Sequence, residues 1–191
     1  MPLLQKVIFY KMSSDENALL TRMMERIHDP KRFVDLPDVI NKRHELHPPV
    51  SPSELDGSER RLGFRLPGLL SRLYLEVGNG GFGPGYGLLA LNEHGARNYH
   101  LNLVDQYLTM INNAPPDYPP WPQRFLTVCD WGDGITSVLD ASDSAAPILR
   151  FRGDQYDGGP WESVMTAEAP TLYNWLEDWL DDQPLFKRVQ S

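Results

Sequence analysis

The stretch from Glu59 to Leu91, ERRLGFRLPGLLSRLYLEVGNGGFGPGYGLLAL, constrains the fold more than any other part of the chain. A helix, a glycine-dense turn and an apolar strand follow one another without a gap. Pro67 opens the helix, and Leu69, Leu70, Leu73, Tyr74 and Val77 form a single apolar face. Gly78 is expected to end it as a left-handed cap. From Asn79 to Gly87 the repeated glycines leave little side-chain bulk, which suits a tight return into a strand at Leu88–Leu91. Gly78, Gly80 and Gly83 spell G-x-G-x-x-G. The dinucleotide fingerprint needs a strand before those glycines and a helix after them, and here the order is reversed.

The flanking elements follow from local signals. A helix is expected from Ser14 to His28, with Asp15 and Glu16 in its first turn and Asp29-Pro30 stopping it. Its stripe of Leu19, Leu20, Met23, Met24 and Ile27 is assigned to the core rather than to a partner groove. Residues 30–50 read as a solvated connector, because Arg43, His44 and His47 lack the other ligands of a metal site. Ser51-Pro52-Ser53-Glu54 has capping-box spacing, and Gly63 ends that helix. A helix over Ala96–Ile111 and a proline-rich loop at 115–122 come next. Three short strands follow, Phe125–Cys129, Ile135–Leu139 and Ile148–Phe151, joined by turns rich in Gly and Asp. A last helix, Thr171 to Leu180, turns Leu172, Trp175, Leu176, Trp179 and Leu180 inward and Glu177, Asp178, Asp181 and Asp182 outward. These elements make an α+β domain, a central antiparallel sheet flanked by helices, over residues 15–183. Residues 1–14 are an N-terminal extension and 184–191 a C-terminal tail.

Charge narrows the class of partner. The net charge of −8 is carried by one half: residues 101–191 hold 5 Lys/Arg against 14 Asp/Glu, while residues 1–100 hold 13 against 12. An acidic half disfavours nucleic acid and anionic membrane and suits a basic protein. No apolar run approaches the roughly 18 residues of a membrane span. The lone Cys129 sits in an apolar run, which fits a buried thiol in a cytoplasmic protein.

Motifs of catalysis are missing. The five histidines are scattered, and no zinc-protease, nucleophile-elbow, P-loop or paired-cysteine pattern occurs. Asp130, Asp133 and Asp140 fall near strand ends and read as turn formers rather than ligands. No catalytic, cofactor-binding or metal-ligating residue is assigned. The candidates for partner contact are Asp130, Trp131, Asp133, Asp154, Tyr156, Asp157 and Trp161, which mix carboxylates with aromatics in the loops of the acidic half.

The residues resemble the SUKH superfamily, in particular its Smi/Knr-type branch. The resemblance rests on E-x-x-L-G-F-x-L-P at Glu59, Leu62, Gly63, Phe64, Leu66 and Pro67, continuing into Asn79-Gly80-Gly81-Phe82-Gly83. A second block, Trp121-Pro122, Phe125 to Gly132 and Val138-Leu139-Asp140, is similar too, as is the closing helix with Trp175-Leu176 and Trp179-Leu180. The chain departs from the pattern at Asp133, where related sequences often place a cysteine. The resemblance implies an α+β binding module without catalysis or cofactor. Bacterial members are regarded as immunity proteins that neutralise polymorphic toxins, many of them nucleases; eukaryotic members look like regulatory scaffolds. The expected partner is therefore a basic toxin domain, with an adaptor of a cell-envelope or signalling complex as the alternative.

Overall fold

A computed structural model of the chain describes residues 14–29, 46–93, 102–113 and 116–185. The expected N-terminal extension, nearly all of the tail, and Arg43 and His44 of the connector lie outside the described residues. Within them, local signals set most element ends. Helix α1 (Ser14–His28) has Asp15 and Glu16 in its first turn and Arg26 and His28 in its last, complementing its dipole. In α2 (Pro52–Leu62) the Ser51 hydroxyl accepts the Glu54 N–H, and the Glu54 carboxylate accepts the Ser51 N–H at 2.7 Å. This is the reciprocal capping box expected from the sequence. Gly63, at φ +82°, closes the helix.

Helix α3 (Gly68–Arg72) runs on into a π-helical turn, Leu73–Val77. Its last bond, from the Gly78 N–H to the Leu73 carbonyl at 3.1 Å, has π-helical spacing. This corrects the expected left-handed cap: Gly78 has φ 169°, which is extended backbone. Glycine is required there for space, since a Cβ would lie 2.7 Å from the His47 carbonyl oxygen. Helix α4 (Leu103–Asn112) also differs from expectation. The Asn102 side chain accepts the Asp105 N–H at 2.9 Å, so the helix is capped there rather than at Ala96. Residues 94–101 lie outside the described set.

Strands β1 (Phe125–Gly132), β2 (Ile135–Asp140), β3 (Ile148–Arg152) and β4 (Met165–Ala169) form one antiparallel sheet in that order. Asp133 and Gly134, at φ +52° and +76°, make the two-residue turn between β1 and β2. Strand β4 reads MTAEA, short and poor in β-branched and aromatic residues, and was not expected. Helix α5 (Leu172–Leu180), capped by Thr171, follows it. With five α-helices and one antiparallel sheet among the described residues, the protein is an α+β fold.

The expected strand at Leu88–Leu91 is reduced to one bridge, Leu88 with Cys129. Its later backbone groups go elsewhere: the Leu91 N–H to the Asn79 side chain, and the Ala90 carbonyl to the Leu103 N–H at 2.7 Å. The glycine loop and the start of this segment cover the outer edge of β1, through Tyr86 N–H to Asp130 O at 3.0 Å and Leu89 N–H to Val128 O at 2.8 Å. The approach is so close that a Cβ on Gly85 would sit 2.7 Å from the Cys129 sulfur.

The two sides of the sheet are covered differently. Ile135, Ser137 and Leu139 of β2 share one side with their β3 partners Arg152, Arg150 and Ile148. That side meets α5, against which α1 packs with Leu19, Leu20, Met23 and Ile27 buried. The stripe on α1 is thus core, as its spacing implies. On the other side Thr136 and Val138 pair with Phe151 and Leu149, and Phe151 lies under an aromatic cluster supplied by loops.

Candidate functional site

The motif residues build the scaffold. Glu59 is buried, and its carboxylate accepts the Leu66 N–H at 2.9 Å while pairing with Arg65, which pins the Gly63–Leu66 corner. Asn79 is equally buried: its amide donates to Asn92 and accepts from Leu91, locking the glycine loop onto the segment that follows it. Both side chains are fully engaged with backbone or neighbouring amides, which explains the residue types without any ligand.

A second buried network runs through the sheet. The Trp131 indole donates to Ser137 Oγ at 2.7 Å, Ser137 donates to Glu168 at 2.8 Å, and Trp175 donates to the other Glu168 oxygen at 2.7 Å. Burial pushes the Glu168 carboxyl above its ordinary range, opposed by those two hydrogen bonds and by Arg150. Cys129 is fully buried, and burial raises its thiol well above the usual value, with Glu168 and Asp130 adding to the shift. It is a core side chain, as expected.

The loops at the other side of the sheet assemble a different surface. Trp161 is buried and donates its indole N–H to the Pro120 carbonyl at 2.9 Å. It meets Trp121 edge-on at 5.0 Å and stacks on Tyr156 at 4.1 Å with 15° between the rings. Tyr118 then leans on Tyr156 at 5.4 Å. Among the described residues Tyr118 is the one large hydrophobic side chain left exposed, at 39%. The Tyr156 hydroxyl is enclosed and has no hydrogen-bond partner there. Partial burial, with Tyr118 and Asp157 nearby, raises the phenol above its ordinary range.

Around these rings stand carboxylates in three conditions. Asp154 forks onto Arg152 with two contacts of 3.1 Å, and that hydrogen-bonded partner lowers its carboxyl. Asp157 accepts the Gly159 N–H at 3.0 Å but has no cation beside it among the described residues. Asp117, Asp133 and Glu162 are exposed and likewise unpaired there. The β1–β2 turn carries Asp133 to this group, because Gly134 accepts the Gly153 N–H at 2.9 Å next to Asp154.

The structure therefore divides the seven sequence candidates. Asp133, Asp154, Tyr156 and Asp157 share one end of the sheet at its surface. Asp130 is half-buried, and its carboxylate accepts the Gly132 N–H at 2.8 Å, so it shapes the turn. Trp131 and Trp161 are not the exposed aromatics expected from their loops. Trp131 alternates onto the helix-covered side of β1, and Trp161 is roofed by Tyr156. Sequence reading missed Tyr118, Asp117 and Glu162. An aromatic held between Pro115-Pro116 and Pro119-Pro120 was the available signal, since such a loop has few ways to fold its ring inward.

Among the described residues no three His, Cys, Asp or Glu side chains are placed to hold a metal ion, and no helix is long and apolar enough to cross a membrane. A shallow pocket of about 340 Å³ beside α2, lined by Asp56, Glu59, Arg60, Phe64 and Arg65, has its charges paired with one another. Compared with known proteins, the chain matches no family model and no curated sequence.

Proposed function

We propose that this chain is a non-catalytic protein-binding module of the SUKH type, an immunity-type protein that binds and neutralises a polymorphic toxin in the cytoplasm. The observation that carries the reading is the end of the sheet where Asp117, Asp133, Asp157 and Glu162 stand without cations among the described residues, on the side of the exposed Tyr118. Unpaired carboxylates beside an aromatic anchor steer and seat a basic protein surface. A basic toxin domain, a nuclease among them, is the partner class that fits. The engagement of Glu59 and Asn79 in the scaffold supports a binding role further, because the most distinctive motif residues are left with no reacting partner to serve.

The test is recovery of partners on the tagged full chain from its native cell, washed at low and then high salt. The reading expects one stoichiometric basic protein that salt releases and that is toxic when expressed without this chain. A set of envelope or signalling proteins that are harmless alone overturns it in favour of an adaptor.

A further inference from the structure

The acidic surface has a particular shape that points to a particular side chain. Tyr118 offers an exposed ring face, and behind it Tyr156 and Trp161 are stacked into a rigid shelf by contacts of 5.4 and 4.1 Å. The Tyr156 hydroxyl is enclosed beneath Tyr118, so the shelf presents ring surface rather than a hydroxyl. Asp117 adjoins Tyr118 in the chain and Asp157 adjoins Tyr156, and neither has a cation of its own there. Gly158 lets the two loops close up: a Cβ on it would stand 2.4 Å from the Tyr118 ring.

Resting on the reading above, we infer that the Tyr118–Tyr156 shelf with its Asp117 and Asp157 rim is the docking surface for an arginine side chain of a basic partner protein. A guanidinium is planar, stacks on an aromatic face, and carries several N–H donors in a fixed fork. Laid on Tyr118, it would meet a carboxylate at the rim. A lysine ammonium satisfies the charge but not the stack. The arginine at Arg152 does not fill this role, because its fork is occupied by Asp154.

The experiment is a titration of the full chain with nona-arginine and with nona-lysine, followed by backbone amide NMR shifts at two salt concentrations. In the native chain nona-arginine is expected to bind roughly two- to fivefold more tightly than nona-lysine, with shifts centred on 117–119 and 154–158. Tyr118→Ala should erase that preference, and its unchanged remaining spectrum will show that the fold is intact. D117N/D157N should weaken both peptides together. Equal affinity for the two peptides in the native chain, or a preference that survives Tyr118→Ala, overturns the inference. So do shifts centred on α5. None of these results touches the partner recovery above, so failure of the arginine shelf and failure of the toxin-binding reading are separate outcomes.

Discussion

The acidic half of this protein meets two fates. Just past the end of α5, Asp181 and Asp182 are paired with Arg22 and Arg26 of α1, and Arg26 also lies over the Trp179 ring at 4.9 Å. At the far end of the sheet, Asp117, Asp133, Asp157 and Glu162 have no such partners among the described residues. Both groups look alike in composition, acidic residues close in the chain to aromatics. One is an internal seam between the first and last helices, and the other has no cation among the described residues. The net charge of a segment therefore says little about function until its internal cations are placed.

The comparison can be broken from either side. The largest expected effect comes from removing the shelf under the free group. Trp161→Ala takes away a buried indole with three ring neighbours and should cost about 3–5 kcal/mol in chemical denaturation. Partner binding should fall with it. Reversing only charge is the cleaner test: D133K/D157K/E162K should weaken a basic partner roughly 10- to 100-fold at low salt, with most of the loss in association rate. Melting should hardly move, because these side chains are exposed and have no ion-pair partner among the described residues. An unchanged affinity would remove the distinction between the two groups.

The paired group should respond in the opposite sense. D181N/D182N is expected to lower stability by about 0–1 kcal/mol per pair while leaving partner affinity alone, as measured by denaturation and calorimetry. A large affinity loss there would move the interface to α5.

A third carboxylate sharpens the contrast because it is neither paired at the surface nor free. Burial raises the native Glu168 carboxyl above the value of an ordinary, solvated glutamate. Between that value and the raised native one, the folded state binds more protons than the unfolded state, so this group's contribution falls as pH rises and is flat outside the window. Glu168→Gln should remove the slope. The stability difference, native minus variant, is expected to decline as pH rises through that window, read from urea curves at pH 4 to 8. A difference that grows with pH would contradict the burial argument.

Much of the fold was legible because its signals are short-range. The capping box at Ser51 and Glu54, the Asp133-Gly134 turn and the stripe on α1 all complete themselves within a turn or two of chain. Spacing and residue type are then sufficient. The misses have one cause in common. Strand β4 is poor in strand-like residues and is held by its β3 neighbour, while the Leu88–Leu91 segment pairs with β1 only at its start and then gives its backbone to Asn79 and α4. Trp131 and Trp161 sit at positions whose burial depends on which side of the sheet is roofed.

The amino-acid sequence by itself determined the caps at both ends of α2, the Asp133-Gly134 turn, the α+β class and the need for glycine between α3 and β1. Tertiary structure alone decided which carboxylates are neutralised. Arg22 and Asp181 are 159 residues apart, and Arg26 and Asp182 are 156 apart, so no local pattern relates them. A turn depends on its own residues, whereas the fate of a surface charge depends on what the rest of the chain brings within a few ångströms of it.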